Sequence, residues 1–146
     1  MKPRVFFDTN LLLDLIDERP GYETVAQILQ KQSDGELEVC VSVLSLANIA
    51  YVLRKRNSAF TIPTLKQMSS LLTVLPMDNA QFDLALLMDG PDFEDVFQAA
   101  CAVRNQCECI LTRNVKDFKI KKGLCRLEHL PPVYSPEQFL KNRAAR

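Results

Sequence analysis

The chain has 146 residues, 47% of them hydrophobic and 25% charged, the proportions of one soluble domain with a full core. Eighteen basic residues balance eighteen acidic ones, so the net charge is zero and any attraction to a phosphate backbone has to come from local patches. No stretch of about 18 apolar residues is present, which excludes a membrane-spanning helix, and the start Met1-Lys2-Pro3-Arg4 lacks the apolar segment of a signal peptide, so a cytoplasmic protein is expected.

In chain order, Val5-Phe6-Phe7 is a short apolar run of the kind buried on both faces of a parallel sheet. Asn10 is a candidate cap for a helix over Leu11 to Ile16. Pro20-Gly21 ends it, and Val25, Ile28 and Leu29 mark a second helix over residues 22 to 32. Leu37, Val39 and Val41 alternate as a strand. Ser45 is a candidate cap for a helix that ends in Arg54-Lys55-Arg56, a basic end suited to the helix dipole. Thr61 to Leu72 reads as a helix, Thr73 to Pro76 as a strand and Asn79 to Met88 as a helix. Pro91-Asp92 opens a longer helix carrying Val96, Ala99, Ala100 and Val103. Cys109 to Thr112 is a strand, Asn114 to Lys122 a basic connection, Arg126 to Leu130 a last strand and Pro136 to Leu140 a last helix. Five strands alternating with helices predict one α/β domain over residues 1–146, a three-layer α/β/α sandwich around a parallel sheet.

The five cysteines, an odd number partly inside apolar segments, suit a reducing compartment better than a disulfide framework. Only Cys107 and Cys109 are close, with C-x-C spacing, and His129 is the single histidine, so a zinc site is not expected.

Three groups of acids carry the chemistry. Asp8 directly follows the first strand, where open α/β sheets bind ligands. Asp117 follows the strand ending at Thr112, so two central parallel strands would bring both acids to one sheet edge. Asp92-Phe93-Glu94-Asp95 opens the long helix, and Asp95 shares the face of Ala99 and Val103. Each acid has a plain alternative: Asp8, Asp92 and Asp95 as helix caps, Asp117 as a solvated loop acid beside Lys116 and Lys119. Capping does not predict the whole pattern, because carboxylates held together repel unless a cation lies between them. Oxygen donors without histidine or thiolate favour magnesium or manganese, and such ions assist phosphodiester hydrolysis.

The segments Phe7-Asp8-Thr9-Asn10-Leu11-Leu12, Ser42 through Ile49, Asp92-Phe93-Glu94-Asp95 and Thr112 through Phe118, in this order and spacing, resemble the PIN-domain family and its VapC-type ribonuclease toxins. The resemblance runs from Val5 to about Leu140. It implies a metal-dependent endoribonuclease with an Mg2+ or Mn2+ ion held by Asp8, Asp95 and Asp117, supported by Asn48, Glu94, Asp92, Thr112 and Asn114. Thr112 matches a hydroxyl that holds the first acid or a water. The resemblance also implies an RNA substrate, a small antitoxin partner and a homodimer. Asn48 departs from the glutamate that many relatives carry there, losing one negative charge. That departure supports an alternative, a PIN-fold module that binds RNA or protein with weakened or lost catalysis. A dehalogenase-type phosphatase with a nucleophilic Asp8 would want an aspartate where Asn10 stands. Arg54-Lys55-Arg56 and Lys116 through Lys122 are candidate phosphate contacts, and Phe93 and Phe118 are expected as core anchors.

Overall fold

A computed structural model describes residues 2–124 and 130–145. Five strands form one sheet: β1 (Arg4–Phe7), β2 (Glu38–Ser42), β3 (Thr73–Leu75), β4 (Cys109–Leu111) and β5 (Val133–Tyr134). Every pairing is parallel, in the order β3-β2-β1-β4-β5. The helices are α1 (Thr9–Asp17), α2 (Tyr22–Ser33), α3 (Val43–Arg56), α4 (Thr61–Leu71), α5 (Asn79–Leu87), α6 (Phe93–Arg104) and α7 (Pro136–Ala144), with a 3-10 turn at Ser58–Phe60.

The two-residue period of the strands separates two cores. Val5, Phe7, Val39, Val41 and Leu111 face Leu11 and Leu12 of α1, Val25 and Ile28 of α2, Ile49 of α3, Met68 of α4 and Phe139 of α7. Phe6, Cys40 and Ile110 face Ala85 of α5 and Val96, Ala99 and Ala100 of α6. Because β1 is buried on both faces, it is apolar at consecutive positions. Phe6 and Phe7 are both fully buried, and truncating either to alanine would cost about 3–5 kcal/mol.

The expected three-layer α/β/α sandwich is therefore present, with three local corrections. Asp8, not Asn10, caps α1: its side chain accepts from the Thr9 N–H. Ser42, not Ser45, caps α3, which starts three residues earlier than expected because the Ser42 hydroxyl accepts from Ser45 N–H. The fifth strand is Val133–Tyr134, whereas the strand expected at Arg126 to Leu130 falls mainly on residues 126–129, outside the described residues.

Chain order fixes where a site belongs. The chain steps outward from β1 to β2 and β3, then returns to pair β4 on the other side of β1. The connections leaving β1 and β4 thus diverge, and a crevice opens at their carboxyl ends, the usual ligand position in such sheets. Asp8 N–H donates to Leu111 O at 2.9 Å, which extends the β1–β4 ladder to the lip of that crevice.

Candidate active site

Asp8 stands at the end of β1 and is held by three donors. Its Oδ1 accepts from Thr9 N–H at 2.8 Å. Its Oδ2 accepts from the Thr112 hydroxyl at 2.8 Å and from Asn10 Nδ2 at 3.2 Å. Asn10 Nδ2 also reaches Thr112 Oγ1 at 3.2 Å, and Asn10 Oδ1 accepts from Arg113 N–H at 3.2 Å. Burial raises the Asp8 carboxyl above its ordinary range, against the lowering effect of the Thr112 and Thr9 hydrogen bonds.

The other acids arrive on the first turn of α6. Asp92 caps that helix, accepting from Glu94 N–H at 2.9 Å and Asp95 N–H at 3.4 Å. Glu94 reaches across to α3, where Asn48 Nδ2 donates to its Oε1 at 2.6 Å. Burial, then the charges of Asp92 and Asp8, raise Glu94. Asp95 is pushed up to about 6, first by burial and then by the charges of Asp8, Asp92 and Glu94. Four carboxylates from two separate elements thus act on one another at the switch point.

Beneath them lies a buried polar floor. Gln98 is one helical turn beyond Asp95 and 1% exposed. Its Oε1 accepts from the Ser42 hydroxyl at 2.6 Å, and its Nε2 donates to Ser45 Oγ at 2.9 Å and Thr9 Oγ1 at 3.5 Å. Thr9 and Ser45 hydroxyls meet at 2.8 Å. Three helix N-termini, those of α1, α3 and α6, are tied together by one amide.

The sequence singled out Asp8, Asn48, Asp92, Glu94, Asp95 and Thr112, and the fold gathers all six. Asp117 and Asn114 lie in the turn after β4. Phe118 is buried beneath that turn, Asn114 N–H donates to Thr112 Oγ1 at 3.3 Å, and Asp117 is left exposed. The charges that raise Asp8, Glu94 and Asp95 come from one another and from Asp92, with Asp117 not among them. Phe93, expected in the core, is 45% exposed and meets Phe82 and Phe97 edge-on or tilted. Sequence reading passed over Gln98, Ser42 and Arg113. Only the three-residue step from Asp95 to Gln98, which places both on one helix face, pointed to any of them.

Among the described residues no three acidic, histidine or cysteine side chains converge on one ion position. The donor chemistry nevertheless suits a hard divalent cation. All the donors are oxygens, and the charge of Asp8 raises Asp95. Magnesium in particular keeps several waters and takes only one or two carboxylates from a protein, which two acids satisfy. Asp8 and Asp95 are the residues that would hold it.

Fold and site together define a three-layer α/β protein with a carboxylate-rich crevice at its topological switch point. The profile of the PIN domain family matches residues 4–116, and the chain belongs to that family. Ribonuclease VapC1 of Aquifex aeolicus (strain VF5) is 27% identical over 121 residues, covering 79% of this chain and 83% of that protein. The DNA-bound VapBC of Salmonella typhimurium superposes with a TM-score of 0.66 over 92% of this chain and 98% of its own, at 17% identity. A toxin–antitoxin complex from Klebsiella pneumoniae gives 0.63 over 90% and 97%, at 20% identity. At such identities the superpositions speak for the fold.

Proposed function

We propose that the protein is a divalent-metal-dependent ribonuclease that hydrolyses RNA phosphodiester bonds as the toxin of a toxin–antitoxin pair. The observation that carries this reading is the set of mutually repelling carboxylates at the switch point, Asp8 fixed by three donors and Asp95 raised to about 6. Membership of the PIN domain family and the likeness to a VapC ribonuclease support it.

Asp8 and Asp95 would hold Mg2+ or Mn2+. When bound, such an ion lowers the pKa of water and neutralises charge developing on a phosphate. The protein's own groups do the rest. Thr112, Thr9 and Asn10 keep Asp8 in one orientation. Asn48 holds Glu94 beside the crevice, where its raised affinity for a proton suits it to accept one from the attacking water. Asp117, exposed in the turn after β4, is the third proposed acid.

The test is cleavage of RNA in Mn2+. Asp8→Asn and Asp95→Asn should each lower turnover at least a hundredfold, and Asp117→Asn should lower it less. Turnover unchanged in both of the first two variants would sink the mechanism.

Solved neighbours are complexes of toxin with antitoxin, which supports a small protein partner here, and a homodimer is proposed with it. An apolar groove of about 350 Å³ between α1, α2 and α4, lined by Leu12, Leu15, Ile16, Met68 and Leu71, is a surface such a partner would cover. Co-expression with the product of an adjacent short reading frame, followed by size-exclusion chromatography, checks both proposals.

A second reading keeps the fold but not the turnover. Asn48 brings an amide to Glu94 instead of another carboxylate, one negative charge fewer at the crevice. RNA binding without metal-dependent cleavage under any divalent ion would favour it.

A further inference from the structure

The basic groups most obvious in the sequence lie away from the acids. Arg54, Lys55 and Arg56 occupy the last turn of α3, about 20 Å along the helix from its N-cap beneath the site. Arg56 is paired with Asp17, and Lys55 lies over the Tyr51 ring.

Arg113 is placed differently. It follows Thr112 at the end of β4, and its backbone N–H donates to Asn10 Oδ1 at 3.2 Å. The amide of the same asparagine donates to Asp8 Oδ2, so a single side chain separates Arg113 from Asp8. The Arg113 guanidinium pairs with Asp14 of α1, four residues after Asn10 on the same helix face. Asp14 is buried, and Arg19 approaches the same Oδ1 at 3.6 Å. A buried carboxylate thus anchors an arginine whose own side chain remains 41% exposed. One of its five N–H donors meets Asp14, which leaves others for a ligand. Its charge also lowers the Asp8 carboxyl, against the surrounding acids.

We infer that Arg113 binds a phosphate of the RNA substrate, and that Asp14 is the positioning residue that aims it. The inference rests on the ribonuclease reading. A polyanion approaching Asp8, Asp92, Glu94 and Asp95 is repelled, and a fixed cation beside Asp8 offsets that repulsion. A guanidinium presents a planar fork that matches two phosphate oxygens, which a lysine ammonium does not. Holding it on Asp14 lowers the side-chain entropy lost when the phosphate docks.

The test uses a fluorescein-labelled, mixed-sequence 20-nucleotide single-stranded RNA. Its affinity is read by anisotropy at several salt concentrations, and kcat and KM for its cleavage are read in Mn2+. Arg113→Ala should weaken binding and raise KM about tenfold with a smaller change in kcat. It should also reduce the slope of log affinity against log salt by about 0.7, the value of one phosphate contact on a single strand. Arg113→Lys should recover the salt slope but only part of the affinity. Asp14→Asn should raise KM in a protein whose circular dichroism is unchanged, and Lys55→Ala should leave all these values as they are. Arg113→Ala that is folded and binds with wild-type affinity and slope overturns the inference while leaving the ribonuclease reading intact. Wild-type protein that neither binds nor cleaves RNA overturns that reading, and this inference falls with it.

Discussion

Replacing Gln98 by leucine removes the amide that ties α1, α3 and α6 together while nearly preserving volume. Three hydrogen bonds go: Ser42 Oγ to Gln98 Oε1 at 2.6 Å, and Gln98 Nε2 to Ser45 Oγ at 2.9 Å and Thr9 Oγ1 at 3.5 Å. At about 0.5–1.5 kcal/mol net for each bond, and least for the longest, the loss is about 2–4 kcal/mol. It stays in that range because the hydroxyls keep one another: Ser42 still reaches Ser45 at 3.3 Å, and Ser45 still meets Thr9 at 2.8 Å. For a chain of this length, a loss of that size lowers Tm by about 6–12 °C. Calorimetry at pH 7 reads the stability, and manganese titration reads the site. The Thr9 hydroxyl belongs to the residue whose N–H donates to Asp8 Oδ1, so loosening it should weaken manganese binding as well. A Gln98→Leu protein with an unchanged Tm would refute the view that this network fastens the three helix ends.

Asp95 gives a pH prediction whose sign follows from its raised affinity for protons. Between the ordinary aspartate value of 3.8 and about 6 the folded state binds more protons than the unfolded one, so its ionisation costs stability as pH rises through that window. Asp95→Asn should therefore have a higher Tm than wild type at pH 7 in metal-free buffer, with the difference closing toward pH 4; a lower Tm at pH 7 would contradict the crowding of charges. Added Mn2+ should raise the Tm of wild type at pH 7 and leave Asp95→Asn nearly unmoved, and an equal rise in both would remove Asp95 from the ion's ligands. Gly123→Ala should cost about 2–4 kcal/mol, read by urea denaturation, because φ is +59° there and a Cβ would fall 2.4 Å from the Leu87 carbonyl oxygen. Asn48→Ala frees Glu94 from its amide donor at 2.6 Å and should raise the Glu94 carboxyl further, shifting the acidic limb of the pH–rate profile upward; an unmoved limb would separate Glu94 from the proton transfer.

The elements were legible in the sequence because each rests on a local signal. Consecutive apolar residues at Val5-Phe6-Phe7 mark a strand buried on two faces, and Asp92 ahead of Phe93 marks a helix start. Caps were less legible, since Asp8, Thr9 and Asn10 are all good caps and only tertiary contacts choose among them. Asn10 is taken by Asp8, Thr112 and Arg113, which leaves Asp8 to cap α1. The polar floor was not legible at all. Gln98 meets partners 53, 56 and 89 residues away, and helical period tells which face it is on but not what lies opposite. The exposed placement of Asp117 was not legible for a similar reason: Phe118 beside it is buried, and a charge count along the sequence contains nothing about that anchor. Phe93 reads as core by composition, yet it sits at the first position of α6, where the helix end leaves one side open.

Two of the acids are thus set up for different work. Asp8 has its charge already spread over three donors, from its own helix, from the neighbouring residue on that helix and from β4, so its position is fixed before any ligand arrives. No described residue donates a hydrogen bond to the Asp95 carboxylate, and three negative neighbours act on it. A carboxylate in that position is stabilised by positive charge that enters the crevice. The arrangement therefore separates rigidity from affinity. Asp8 defines where a cation would sit, and the repulsion among Asp95, Glu94 and Asp92 supplies the free energy that a cation would relieve. Arg113, one asparagine away from Asp8, contributes positive charge at the end of β4, so the field across the crevice runs from the end of β4 toward the α6 acids. A phosphodiester docking there would meet the proposed phosphate-binding cation on the β4 side and the proposed proton acceptor on the α6 side. Attack on a phosphate needs that same division between the group that holds the anion and the group that takes the proton.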